Sequence, residues 1–228
     1  MDDIKAITTF YFEFRLLKSL LIEPHYLPSL EYMIVLQQFG EIKWEQQEHY
    51  VKQSFRNRCY INTAQGLEML VVPLTGKHGK ISIKDVRIDY NIHWQNNHWR
   101  TIESAYRKAP YFEFYADDLR NIIYRKKDFL FDLNIDLLSF CLKCIQHKPN
   151  ISVSVTYEKS PDSSFYDLRS MIHAKKPYSD RSIYKPTPYQ QVFGNQFAAN
   201  LSMIDLLFCE GPQTGFLLLA SRNKELNK

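Results

Sequence analysis

The most constraining stretch of this chain is residues 16–45, where two apolar runs bracket a short loop and a helix. Leu16 to Ile22 is a largely apolar run that ends at Glu23-Pro24, which reads as a buried strand delivered into a loop. The loop EPHYLPS opens a helix predicted over Leu30 to Phe39 and stopped by Gly40; Ile42 to Glu45 reads as a second strand. Strand, loop, helix, strand is the opening unit of an α/β domain, and it puts the loop at a strand's carboxyl end.

The rest of the chain extends that reading. The segment YVKQSFRNRCYI precedes an apolar strand over Leu67 to Leu74, and a turn at 75–80 leads to a strand carrying Ile81 and Ile83. Its in/out phase slips at Asp85, since Val86 and Ile88 continue on the other parity, and a bulge is predicted there. From His93 the spacing turns helical, with Trp94, His98, Ile102 and Ala105 on one face until Pro110. A second helix is predicted over Asp117 to Lys126. A third runs from Asp128 to about His147, its polar stripe being Asp128, Asp132, Asp136, Ser139 and Lys143. A strand at Ile151 to Tyr157, a loop at 159–164, a packed connector at 177–189 and a helix from Asn200 or Ser202 to Glu210 complete the pattern. Phe10, Phe12 and Phe14 alternate with Tyr11 and Glu13, as in a strand or an N-terminal extension. The expected architecture is a single α/β domain, or its mixed α+β variant, with a mainly helical second half. Its expected limits are 18–215, with an extension at 1–17 and a tail at 216–228.

Composition excludes several function classes. With 45% hydrophobic and 24% charged residues the chain is of ordinary globular make-up, and 228 residues suit one domain. Only 7 glycines stand beside 15 Phe, 15 Tyr and 3 Trp, and neither a G-x-G-x-x-G nor a Walker-type string occurs. A net charge of +4 and a pI near 8.7 fall short of a dedicated nucleic-acid binder, so no nucleic-acid partner is expected. No stretch reaches the roughly 18–20 uninterrupted apolar residues of a membrane span. The opening MDDIKAITTFYFEFR has the wrong order for a secretory signal, so a cytoplasmic location and reduced thiols are expected.

The chemistry-bearing residues each carry two readings. Cys141-Leu-Lys-Cys144 has redox or zinc spacing, but Cys59 and Cys209 are single, so packing thiols and no metal are expected. Gly76-Lys-His-Gly79 resembles a single-strand RNA clamp, yet between two strands it reads as a hairpin turn. His98 is either a satisfied core histidine or part of a pocket wall. His25 lies on the first strand–helix loop, where a neutral imidazole can bind phosphate or act as general acid or base. Lys52, Arg56, Asn57 and Arg58 combine guanidinium forks with an amide, which is either a solvated face or an anion-binding cluster. Asp205 falls among apolar neighbours in the last helix, as a candidate partner for one of those cations. No serine stands in a nucleophile-elbow string.

Taken together, these strings resemble the WbqC-like family of bacterial proteins. The matching stretches are His25-Tyr-Leu-Pro28, Tyr50-Val-Lys-Gln-Ser-Phe-Arg-Asn-Arg58 and Leu70-Val-Val-Pro73, followed by Trp94-x3-His98-Trp-Arg-x-Ile102 and Ser104-Ala-Tyr106-x2-Ala-Pro-Tyr-Phe112. The last is Asn200-Leu-Ser-x2-Asp205-Leu-Leu-Phe-x-Glu-Gly-Pro212; with EIKWEQQEHY at 41–50 it looks most like the Bacteroidetes-type branch. Much of the wider family has an acidic pair after its second strand, where this sequence has Gln46-Gln47. The resemblance implies a place in bacterial surface polysaccharide gene clusters of O-antigen type, and it supplies no reaction or cofactor.

Two functions from different classes follow. One is a transferase acting on a nucleotide-linked sugar or another anionic small molecule. There Lys52, Arg56, Asn57 and Arg58 would hold diphosphate, His25 and His98 would serve catalysis, and Tyr26, Tyr106 and Asp205 would line the substrate pocket. The other is a non-catalytic sugar- or partner-binding scaffold of a glycan-assembly complex, using the aromatic surplus as contact surface.

Overall fold

The computed structural model describes residues 19–76, 80–194 and 196–223. The predicted strand at Phe10–Phe14, the extension at 1–17, the turn residues Lys77, His78 and Gly79 and the last five residues lie outside them.

The fold is mixed α/β. Strand β1 (Ser19–Ile22) leads through helix α1 (Leu30–Leu36) to β2 (Glu41–Trp44), as the opening pattern predicts. The Ser29 side chain accepts from the Tyr32 amide at 3.4 Å, capping α1 directly after Pro28. An antiparallel hairpin follows, β3 (Arg58–Thr63) with β4 (Gly66–Val71), and then α2 (Trp94–Tyr106), α3 (Phe112–Tyr124) and α4 (Leu130–Cys144). β5 (Asn150–Val153), β6 (Phe165–Asp167), α5 (Met203–Glu210) and α6 (Thr214–Ala220) complete the chain.

β1, β2, β5 and β6 form one parallel sheet in the order β5-β2-β1-β6. Alternation along the strands gives its faces opposite characters. Leu20, Ile22, Ile42 and Trp44 point into the core, whereas Ser19, Leu21, Glu41, Lys43, Ser152 and Asp167 share the other face. On that second face the β5–β6 crossover at 154–164 helps form a cleft of about 190 Å³ lined by Leu21, Lys43, Glu45, Ser154, Pro161 and Phe165.

Some local readings change. The phase slip at Asp85 is a 3-10 turn over Ile83–Asp85, which rotates the chain so that Ile83, Val86 and Ile88 are all buried; no bulge is needed. β6 and α6 were not anticipated, because three residues carry little periodicity and Gly211-Pro212 reads as a stop. In fact Gly211–Gln213 forms a 3-10 turn that re-aims the chain into α6. The segment Met203–Ala220 has the length and hydropathy of a membrane span, but 56% of it is buried in the fold. Helix α4 carries one polar residue off its solvent stripe. Asn134 is fully buried.

Candidate functional site

Four strand ends meet at the carboxyl edge of the parallel sheet. β1 hands over to Glu23-Pro24-His25, β2 to Glu45, β5 to Ser154 and β6 to Leu168-Arg169-Ser170. The chain leaves β1 for β2 on one side, and β6 pairs with β1 on the other, so the strand order reverses at β1. Such a reversal is where open α/β sheets form a binding crevice.

Glu23 is the hub. Its Oε1 lies 3.3 Å from His25 Nε2 and 3.2 Å from Arg56 Nη2, and its Oε2 accepts from the Ser170 amide at 2.9 Å. Arg56 in turn donates from Nε and Nη2 to Glu48, at 2.8 and 2.5 Å, and from Nη2 to Ser170 Oγ at 3.1 Å. The Ser170 amide reaches Glu23 from a left-handed backbone, φ 57°, and Leu27 on the His25 loop has φ 39°. Non-glycine residues in this region cost about 1–3 kcal/mol each and gather where surrounding structure enforces them.

A second set of bonds continues the edge. Glu45 accepts from Ser154 Oγ at 2.6 Å and from the Gln47 amide at 2.7 Å, while its Oε2 accepts from Arg169 at 3.0 Å. Arg169 also forks onto Asp167 at 2.9 and 2.8 Å. Four carboxylates thus face two guanidinium groups, and the edge is acidic.

This environment sets the protonation states. Burial lowers the pKa of His25 against the opposing pull of Glu23, so the ring is neutral at pH 7. Burial acts to raise the Glu23 carboxyl, but Arg56 and His25 together hold it below the ordinary range. Burial pushes Glu48 up to about 7 in spite of Arg56. Since ionised Glu23 accepts from His25, the proton of the neutral ring is on Nε2, and Nδ1 is left as a lone-pair acceptor. Nδ1 is buried and has no partner among the described residues. The ring stacks on Tyr32 at 4.2 Å, and the Tyr32 hydroxyl donates to the Glu23 carbonyl at 2.7 Å.

Asn134 holds the two loops together. Its amide nitrogen donates to the Pro24 carbonyl at 3.2 Å and to the Arg56 carbonyl at 2.7 Å. The Tyr26 amide donates to the Phe55 carbonyl at 2.9 Å, a second tie between the same segments.

Of the residues singled out in the sequence, His25 and Arg56 come together here and the others do not. Tyr26 and His98 form a separate buried pair, the hydroxyl donating to Nδ1 at 2.8 Å while Nε2 donates to the Val71 carbonyl at 3.2 Å. Both nitrogens of His98 are occupied, and burial takes its pKa down to about 4. Tyr106 and Asp205 belong to a third group. Asp205 accepts from Tyr106 at 2.8 Å, Tyr189 at 2.5 Å and Gln191 at 3.1 Å, so hydroxyls and an amide stand where a cation was expected. Lys52 is exposed, Asn57 donates to the Val72 carbonyl at 2.9 Å, and Arg58 lies along the hairpin with Nη1 3.7 Å from Met69 Sδ. The four residues of that segment point in different directions because Arg56 is drawn inward by two carboxylates. Cys59, Cys141 and Cys209 are buried, and burial lifts the half-buried Cys144 thiol to about 12. No group of three His, Cys, Asp or Glu side chains among the described residues is placed to hold a metal ion.

Sequence reasoning passed over Glu23, Glu45, Glu48, Asn134, Arg169 and Ser170. A usable signal existed for two of them: SLLI and EIKW are each followed at once by a glutamate.

The family model for the WbqC-like protein family matches residues 23–180. The chain belongs to the WbqC-like family. The matched span opens on Glu23 and contains every residue of the carboxyl-edge cluster, whereas Tyr189, Gln191 and Asp205 fall outside it. A WbqC-like chain with Gln46-Gln47 still has two acids at this edge, because Glu45 and Glu48 flank the pair; Gln46 donates from its side chain to the Ser154 carbonyl at 2.8 Å. The chain is 32% identical over 108 residues to the uncharacterized protein Rv1507c of Mycobacterium tuberculosis (strain ATCC 25618 / H37Rv). That match covers 46% of this WbqC-like chain and 46% of the relative, so the chain spans about half the length of the curated relative it matches. No solved structure matches it.

Proposed function

We propose that this chain is a cytoplasmic transferase of bacterial surface polysaccharide (O-antigen type) biosynthesis, acting on a nucleotide-linked sugar at the carboxyl edge of its parallel sheet. The observation that carries this reading is the Glu23–His25 pair with Nδ1 unpartnered, at the strand-order reversal. A carboxylate on one nitrogen fixes the tautomer and leaves the other as a base, neutral and competent at pH 7. In the reaction His25 Nδ1 takes the proton from the acceptor's nucleophilic atom as that atom bonds to the transferred group and the donor's leaving group departs. Glu23 stabilises the imidazolium so formed, and Ser170 and Arg56 keep Glu23 in place. The polysaccharide setting rests on the family resemblance. Tyr26 and His98 support the loop that carries His25, and Asp205 with Tyr106 braces α5 against α2.

The test is a binding and turnover screen. Wild-type protein is titrated with a panel of nucleotide sugars by calorimetry, and His25→Ala and Glu23→Gln are compared by mass-spectrometric product detection in cell extract. Saturable binding with turnover lost in both variants is the expected result. No binding by any nucleotide sugar sinks the reading.

The scaffold reading has one observation of its own. Ile151, Val153, Val155 and Tyr157 share one parity along and just beyond the edge strand β5 and are 48%, 42%, 83% and 53% exposed. An apolar edge of this kind favours strand addition by a partner. Recovery of one stable partner that is lost in Val153→Lys, with polymer production unchanged in His25→Ala, would favour it.

A further inference from the structure

A second concavity lies away from the carboxyl edge, between the free end of the β3–β4 hairpin and α2. It has a volume of about 390 Å³ and is walled by Gln65 and Glu68 of the hairpin, Arg100, Ser104 and Ala105 of α2, and Phe193 of the segment before α5. Glu68 stands opposite the buried Ile61 in the hairpin register, so the two side chains leave on the same, inward face. Arg100 and Ser104 are four residues apart on α2 and therefore front the same space. Both belong to the Trp94–Ile102 and Ser104–Phe112 stretches, whose exposed members the carboxyl edge does not use.

The three walls are pinned to one another by buried bonds. The Asn62 amide donates to the Tyr106 hydroxyl at 3.3 Å, and Asn62 Nδ2 donates to the Phe193 carbonyl at 2.8 Å. The Tyr106 hydroxyl donates to Asp205, which also accepts from Tyr189 and Gln191 on the segment leading to Phe193. The cavity is thus shaped before any ligand arrives. Its charges, by contrast, are left open. Arg100 and Glu68 are exposed on different walls, and neither side chain has an ion-pair or hydrogen-bond partner among the described residues. A groove of the same volume between α3 and α4 is different: there Lys143 reaches Asp118 at 3.6 Å and Arg125 reaches Asp136 at 3.7 Å, so its charges cancel each other.

We propose that this cavity binds a small zwitterion of the α-amino-acid type, its carboxylate on Arg100, its ammonium on Glu68 and its side chain against Phe193 and Ala105. A guanidinium fork takes a carboxylate through two parallel bonds, and a carboxylate takes an ammonium through charge-assisted ones. A ligand with a single charge satisfies one wall and meets a like charge on the other. A zwitterion satisfies both and leaves the net charge of the cavity at zero. The inference does not depend on how the carboxyl edge is read, since the two places share no residue.

The experiment uses the full chain, with the Arg100 Nε resonance followed by NMR and assigned through Arg100→Gln. The probes are the standard free amino acids, then the N-acetyl and amide derivatives of the tightest binder, with glucose as a neutral comparison. At least one amino acid is expected to shift the Arg100 signal saturably. Its N-acetyl form, which lacks the ammonium, and its amide, which lacks the carboxylate, are each expected to bind at least about tenfold more weakly. Glu68→Gln should erase the penalty for N-acetylation, and Arg100→Gln the penalty for amidation; both side chains are exposed, so both variants are expected to fold. Derivatives binding as tightly as the parent overturn the proposal. So does an Arg100 signal that no amino acid moves, or one that glucose alone moves.

Discussion

Arg56 closes a two-pronged bond onto a single oxygen of Glu48, 2.8 Å from Nε and 2.5 Å from Nη2, inside a site that also contains Glu23. One guanidinium between two carboxylates leaves charge uncompensated, and the two acids respond in opposite directions to pH.

Glu48 has its folded pKa raised to about 7 by burial, above the unfolded value near 4.5. The native state therefore holds the proton more tightly, and stability falls as pH rises from 4.5 to about 7. Glu23 has its folded pKa lowered, so its contribution is present above about 4.5 and is lost only as pH falls below that. Glu48→Gln is expected to flatten the stability profile between pH 5 and 7.5 relative to wild type, by up to about 3 kcal/mol across that window. Chemical denaturation at a series of pH values measures it; parallel profiles for the two proteins would refute the assignment.

Asn134→Leu is close in size but removes both donors of the clip. The Pro24 and Arg56 carbonyls are then buried without partners, a loss of about 2–4 kcal/mol. Urea denaturation gives the number. Amide exchange should show protection lost first around residues 24–26 and 55–57, and a uniform loss across the fold would contradict the clip.

Gly211 has φ 52°, and a Cβ there would fall within the Tyr111 ring. The Tyr111 backbone is anchored by its amide donating to the Phe208 carbonyl at 3.0 Å, so relief would have to come from the ring. Gly211→Ala is expected to cost about 2–4 kcal/mol through strain and overpacking. A melting temperature within 2 °C of wild type, roughly the shift that a loss of only ~0.5–1 kcal/mol produces in a chain this size, would show that the ring yields.

Tyr189→Phe removes the hydrogen bond at 2.5 Å onto Asp205, leaving Tyr106 and Gln191 on the carboxylate. A bond to a charged acceptor is worth about 1.5–3 kcal/mol, and that loss is expected where Asp205 is ionised. Burial already raises the Asp205 pKa, and losing a donor raises it further, so the deficit should shrink in acid. Stability measured at pH 4 and pH 7 tests both halves.

The unit at 19–45 was legible because each signal is local: an apolar run, a Ser29 cap and a Gly40 stop lie within a few residues of what they control. The same holds for the inward face of α2, where Trp94, His98, Ile102 and Ala105 are all buried. The site was legible only at His25 and Arg56. Arg56 looked like a ligand for phosphate because its acidic partners are not its sequence neighbours: Glu48 is eight residues away and Glu23 is thirty-three. Asn134 was invisible for a different reason. A single amide on an apolar helix face leaves the period intact, and its role depends on two carbonyls from distant loops. Tyr106 and Asp205 do meet, as inward helical positions can, but around each other.

Ser170 supplies the amide that caps Glu23 across 147 residues of sequence. The carboxylate after the first strand thus waits for the loop after β6, the last of the described strands. During synthesis a chain that has emerged only as far as β5 already holds Glu23, His25, Arg56 and Asn134, yet Glu23 lacks its second anchor. A fragment cut within the 154–164 crossover is in the same position. Glu23 therefore has its full set of partners only once the chain has passed β6.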